Sequence, residues 1–362
     1  MKSPILSMLA FAAGASALPQ GVPATPLAPA LPIEAFKASQ SMRLLTLDDI
    51  RTGNFFRVNT TNTSEEPKLD TFSDEMSTTA TCSNPRVRQE WDSYSDSDRQ
   101  AFVDAIRCLQ RRPPSGQFSQ SKSRYEDFVA LHQTLTPNIH STQERANHKF
   151  LVWHRYYLWT FEDILRSDCG FDRAFPWFDE TRYAGRFAQS SIFSSRWFGG
   201  VNINNNCVTD GQFANLVLNV GPWNSNQPHC LSRRGDDGIT SGTGSAYVEG
   251  CINNYSNYAD MGLCSELSAH SSGHRGIGSV MEDVNASPGD PVFWLHHAFI
   301  DRNFRIWQNV DRSRVSNVNG FDIAGNSLTL DTTVNVYDFR PTVRIRDILD
   351  TTGDTLCYKY NY

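Results

Sequence analysis

Histidine is the side chain best suited to hold a transition metal or move a proton near neutrality, and the 362-residue chain has nine. Four fall between Ala269 and Gln308, in AHSSGHRGIGSVMEDVNASPGDPVFWLHHAFIDRNFRIWQ. His270 and His274 are four apart, which puts both imidazoles on one side of a helical turn. His296 and His297 are adjacent inside an aromatic run. His132 and His154 each sit in an apolar run, with His140 and His148 between them. An all-imidazole donor set suits copper, zinc, iron or nickel. Glu-x-x-His, expected of di-iron and di-manganese bundles, is absent from these positions. Two histidine groups predict two metals. Three imidazoles on each would leave open positions between two coppers, where O2 can bridge.

Helices must position these side chains. From Phe293 onward, Phe293, His297, Ile300, Phe304 and Trp307 recur at steps of four and three, one face of a 3.6-residue period. His297 is the polar member of that face, and His296 lies about 100° away from it. Tyr125, Phe128, His132 and Leu135 form a second such stripe, in a helix expected to start near Ser123 and close at Pro137. Phe150, His154, Tyr157, Phe161 and Leu165 form a third. A single core histidine is explained well enough by a carbonyl or carboxylate partner, since an unpaired imidazole nitrogen costs about 1–3 kcal/mol. Three helices each centring one histidine in an apolar stripe, together with the four-apart pair, fit a polyhistidine metal site inside a helix bundle better.

The remaining composition sets bounds. Hydrophobic residues make up 39% and aromatics 12% of the chain, enough for a large core with aromatics to spare for a pocket. A net charge of −6 without a basic block disfavours nucleic-acid binding. Beyond the N-terminus no apolar run reaches the roughly 18 residues that span a bilayer, so no membrane partner is expected. Lys2, the apolar run Ile5 to Ala13 and Ala15-Ser16-Ala17 fit a secretory leader over 1–17, predicting a secreted, extracellular protein. Eight cysteines without CxxC pairs then predict up to four disulfides. Sequons stand at Asn59, Asn62 and Asn254, with a weaker one at Asn285 because Pro follows its Ser287.

In chain order, 18–80 is rich in Pro, Ala, Thr and Ser and is expected to be a weakly ordered extension or pro-segment. The folded domain, 81–362, begins near Cys82. Its first helix is expected to be N-capped by Ser95, with Asp98 three residues on, and to end at Pro113 and Pro114. Residues 181–265 are rich in Gly, Asn and Ser and hold four cysteines, and are expected to be a long loop that wraps the bundle and shapes access to it. VNVYDF and VRIRDIL are expected to be short strands or edge pieces.

FLVWHRYYLWTFE and SPGDPVFWLHHAFIDRNFRIWQ resemble the two copper-site signatures of the tyrosinase, catechol oxidase and hemocyanin superfamily, most of all those of short fungal tyrosinase-like enzymes. The resemblance covers about Cys82 to Gln308 and the terminal CYKY. It implies a mainly α fold, a four-helix-bundle dicopper core wrapped by disulfide-tied loops and a few short strands. It implies that His270, His274 and His297 hold one copper, in agreement with the helical face of His297, and that His132 and His154 hold the other. Arg155 and Asp301 would pair behind the ligands and keep two helices in register. The family's middle ligand of the first copper stands nine residues before the WHR histidine, and that position here is Arg145. Two replacements remain open, His140 and His148. The cysteine that fungal members often link to this histidine is Asn138 here, so no thioether is expected.

The resemblance also bears on reactivity. Glu266 matches a glutamate that holds a water near the coppers and serves as a base. Ser271 stands where enzymes that hydroxylate monophenols often carry Asn. FPWFDE replaces the family's PYWDW, and no long lid domain is expected after Gln308. The implied function is a secreted, copper-dependent phenol oxidase that uses O2 to oxidise o-diphenols or o-aminophenols to quinones or quinone-imines, with monophenol hydroxylation in doubt. The alternatives are a hemocyanin-like O2-binding protein and a degenerate relative with an incomplete first copper site.

Overall fold

The computed structural model describes residues 27–37, 42–55 and 82–362. The expected leader, the sequons at Asn59 and Asn62 and most of the 18–80 extension lie outside the described residues. Two pieces of that extension pack on the body. Phe36 is buried in the main core, and Leu45 and Ile50, the latter on the short helix α1 (Leu47–Thr52), are buried in a smaller cluster with Leu263 and Leu267.

The body is mainly helical. α2 (Asp96–Arg111) starts at Ser95, whose hydroxyl accepts the Asp98 N–H, as the Ser-x-x-Asp spacing predicts. α3 (Arg124–Ile139) is capped in the same way by Ser123. Pro137 does not close α3; it forfeits one ladder bond in the last turn, and the helix runs on to Ile139. α4 (Phe150–Cys169) ends on Gly170, whose φ of 67° provides the left-handed stop.

The segment after α4 corrects the expectation of a plain loop. It does hold two antiparallel strand pairs, Asn206–Cys207 with Ser232–Arg233 and Val217–Leu218 with His229–Cys230. It then forms a one-turn helix, Asp237–Thr240, and two longer ones, α5 (Ser245–Asn254) and α6 (Tyr258–Ser265). In α5 only Val248, Cys251 and Ile252 are buried, a stripe too short to stand out in the sequence. α6 continues through a π-helical turn, Glu266–His270, into α7 (Ser271–Ile277), and α8 (Phe293–Val310) follows. α4 packs against α2, α3 and α8, so the three aromatic stripes face one another.

A small parallel sheet closes the body. β1 (Arg86–Glu90) lies between β2 (Pro176–Trp177) and β3 (Tyr358–Tyr360). VNVYDF and VRIRDIL contribute one short antiparallel pair, Thr333–Val334 with Val343–Arg344, before Ile345–Ile348 turns helical. All eight cysteines are paired: Cys82–Cys357, Cys108–Cys169, Cys207–Cys230 and Cys251–Cys264. Asn254 is exposed, whereas Asn285 is buried and its amide donates to Asn224, which leaves no room for a glycan there. No helix among the described residues is long and apolar enough to cross a membrane.

Candidate metal centre

The facing stripes bring two groups of histidines to the middle of the bundle. His132 on α3, His154 on α4 and His140 at the end of α3 form one group, with candidate ligand atoms within 4.8 Å of one another. His132 Nδ1 lies 2.9 Å from the Asn285 carbonyl, and His154 Nδ1 lies 2.9 Å from the Phe150 carbonyl one turn back. Donating Nδ1–H there turns each Nε2 lone pair inward, and the two Nε2 atoms stand 3.4 Å apart. The second group is built alike. His270 Nδ1 faces the Glu266 carbonyl at 3.2 Å, His274 Nδ1 faces the Met281 carbonyl at 2.7 Å, and His274 Nε2 is 3.1 Å from His297 Nε2.

These donor sets fit a metal. Lone pairs this close repel unless a proton or a cation lies between them. Burial works against the proton: desolvation pushes all six imidazoles below their ordinary range, His132 to about 3. His140 Nδ1, His270 Nε2 and His297 Nδ1 are buried with no protein partner, which a core does not tolerate without compensation. Neutral imidazoles with inward lone pairs and outer carbonyls that fix the rings are what metal binding requires.

The geometry separates the two candidates left open by the sequence. His140 joins His132 and His154, because α3 outlasts Pro137 and its end residue, at φ −120° and ψ 153°, turns back toward α4. His148 is drawn elsewhere: its Nδ1 accepts the Phe321 N–H at 2.9 Å, and its ring lies over Gly320. His296 lies within the second group's 4.8 Å, yet it is held from outside. Its Nδ1 is 2.6 Å from the Glu180 carboxyl, and its Nε2 faces the His270 backbone without closing a hydrogen bond. Burial pushes the Glu180 carboxyl up and His296 down to about 3, so the pair is neutral overall. A Cβ on Gly273 would come within 2.4 Å of the His296 ring, so only glycine fits at that crossing.

Behind the ligands, Arg155 Nε donates to Asp301 at 2.6 Å, joining α4 to α8. The sequence hid how far this network extends. Arg88 of β1 and the hydroxyls of Tyr358 and Tyr360 on β3 converge on the other Asp301 oxygen, at 3.3, 2.5 and 2.6 Å. Arg88 also donates to the buried Glu162 of α4 at 3.0 Å. A lone Arg in a short strand carries no sequence signal for such a role.

A cleft of about 470 Å³ opens over the two groups, lined among others by His140, Glu266, His270, His274, Trp223 and Met281. Glu266 sits at the start of the π-turn and is buried. Its Oε1 accepts the Ser141 N–H at 2.8 Å and its Oε2 accepts the Ser141 hydroxyl at 2.6 Å. Desolvation pushes its carboxyl up to about 7, with the Ser141 donors offsetting part of the effect. The Ser271 hydroxyl donates to the Glu266 backbone carbonyl at 2.6 Å and so points away from the carboxylate. Neither the Ser141 clamp nor the π-turn is legible in the sequence, since both depend on residues far apart in the chain meeting.

Comparison with known proteins finds relatives of the chain and of its fold. A family model described as the common central domain of tyrosinase matches residues 122–310. Tyrosinase ustQ of Aspergillus flavus is 33% identical over 299 residues, covering 77% of this chain and 80% of that protein. The N-acetyl-6-hydroxytryptophan oxidase ivoB of Emericella nidulans is 28% identical over 345 residues, covering 76% of this chain and 92% of that protein. A solved polyphenol oxidase of Thermothelomyces thermophila shares the fold, with a TM-score of 0.68, 24% identity and coverage of 77% of this chain and 89% of that one.

Proposed function

Since this chain belongs to the tyrosinase family, oxidoreductases that hold two copper ions, we propose that it is a secreted oxidase of o-diphenols or o-aminophenols with O2 as the acceptor. The observation that carries the reading is the pair of facing three-histidine groups, His132, His140 and His154 against His270, His274 and His297, under one open cleft. When bound, the coppers supply the electron chemistry and the site for O2. The protein's residues do the rest. The outer carbonyls hold each imidazole as a neutral ligand. Met281 and Val284 give the cleft an apolar side for a ring to lie against. Glu266 lines the cleft and burial pushes its carboxyl up to about 7, which supports a role as the base that takes a hydroxyl proton from a substrate through an intervening water.

Ser271 supports diphenols over monophenols. Its hydroxyl proton is committed to the Glu266 backbone, so it does not help aim a water at a phenol. The cleft is in the range that takes drug-sized ligands, which favours a phenol carrying a substituent; a relative is an N-acetyl-6-hydroxytryptophan oxidase. The four disulfides support export. Oxygen uptake by the copper-loaded protein on a panel of catechol, 2-aminophenol and phenol tests the reading. Rapid uptake with the first two and slow uptake with phenol is expected. An oxygen-dependent absorption band without turnover of any of them would replace the oxidase with a reversible O2-binding protein.

A further inference from the structure

The N-terminal segment Met42–Phe55 reaches the cleft from outside the family's central domain. Met42 lines the cleft beside His270, Ser271 and His274. Its carbonyl accepts Nη1 of Arg275, the residue that follows His274, at 3.1 Å. Three residues on, the Leu45 N–H donates to the Leu267 carbonyl at 3.2 Å, inside the π-turn that carries Glu266 and His270. π-turns are rare and concentrate at functional sites, and this one is supported from outside its own helix. Glu266, Leu267 and His270 of this turn all line the cleft, and Leu267 also packs with Leu45, Ile50 and the Cys251–Cys264 disulfide behind it.

The segment is itself stiffened. Thr46 and Asp49 form a reciprocal capping box at the start of α1, and Arg43 pairs with Asp49 at 2.6 Å. The Tyr255 hydroxyl donates to the Ile50 carbonyl. α1 rests on Gly250 of α5, where a Cβ would lie 2.9 Å from Ile50. A chain held at this many points acts as a fixed strap.

We propose that this strap is a wall of the substrate site: Met42 sets how large a ring substituent the cleft admits, and Leu45 steadies the π-turn from behind. The inference rests on the oxidase reading for its substrate class, while its geometry concerns the cleft alone. Met42 is the specificity residue, and Asp49 acts through it as a positioning residue. The sequence reading of 18–80 as a weakly ordered extension points to no such role.

The test uses full-length, copper-loaded protein and its Met42→Ala, Met42→Trp and Asp49→Ala variants. Two readouts are taken: the ratio of kcat/KM for 4-tert-butylcatechol to that for catechol, and the ratio of binding constants for 4-tert-butylbenzoate and benzoate, which are not oxidised. Met42→Ala is expected to raise both ratios about tenfold and Met42→Trp to lower them by a similar factor, the usual scale for a few methylenes of pocket space. Asp49→Ala, which loosens the strap without touching the cleft, is expected to shift both ratios in the direction of Met42→Ala. Wild-type ratios in Met42→Ala and Asp49→Ala, each with its copper intact, would overturn the proposal. If Met42→Trp does not fold, the other two variants decide, since each only removes atoms. A wild-type protein that turns over no catechol sinks the oxidase reading, and the benzoate ratios still decide the strap.

Discussion

At the scale of single residues, the centre is defined by where each imidazole's second nitrogen goes. Four of the six candidate ligands face a backbone carbonyl through Nδ1, and no sequence pattern names those carbonyls. What the sequence does show is the face of each helix: His132, His154 and His297 each centre an apolar stripe, and all three turn inward. His140 was the hard position, because its placement depends on α3 continuing past Pro137. Ser271 is where chemistry turns on one atom. Its hydroxyl is committed to the Glu266 carbonyl at 2.6 Å. Ser271→Asn would present an amide to the cleft instead, and the ratio of monophenol to diphenol oxidation is expected to rise about tenfold or more, a scale typical of one positioned proton-transfer partner. Initial-rate assays with tyrosol and hydroxytyrosol measure it; an unchanged ratio would remove Ser271 from the explanation of substrate preference.

At the scale of elements, the ligand helices are kept in register by buried charge. Asp301 on α8 accepts from Arg155 of α4 and Arg88 of β1, and Glu162 of α4 accepts from Arg88, Arg86 and Arg166. Burial raises both carboxyls, but the guanidinium groups around them outweigh it and hold both below their ordinary values. A carboxylate held low in the folded state adds stability that is complete above its unfolded value, about 4 for Asp and Glu, and is lost as pH falls through the lower folded value. Resistance to denaturant should therefore fall steeply on the acid side. Asp301→Asn leaves the buried Arg155 without a carboxylate and Arg88 with Glu162 alone, and is expected to cost about 3–5 kcal/mol at pH 7, with a shallower acid limb than the wild type. A wild-type midpoint for this variant would show that the network does not hold the bundle together. Helix starts were legible here, since Ser95 and Ser123 cap as their spacing predicts. α5, α6 and the π-turn were not: α5 buries only Val248, Cys251 and Ile252, whereas α6 and the π-turn are buried almost all round and so present no apolar stripe against a polar face.

At the scale of the whole molecule, the chain wraps its own bundle. β1 and β3 pair near opposite ends of the domain, Cys82–Cys357 ties the two strands' beginnings together, and the strap returns from the N-terminal side to the cleft. Periodicity showed the histidine-bearing helices of a bundle and the cysteine count showed the disulfides, the mainly α class followed from the family resemblance, and the strap lies in a stretch read as a weakly ordered extension. The central claim is that six histidines, three from each half, hold two coppers in a working oxidase, with His140 and not His148 completing the first group. The measurement that tests it most directly is copper content, taken together with oxygen uptake on catechol, for the wild type, His140→Ala and His148→Ala. Two coppers and turnover are expected in the wild type and in His148→Ala, and one copper with turnover lost in His140→Ala. Full copper and full turnover in His140→Ala, or their loss in His148→Ala, would contradict it.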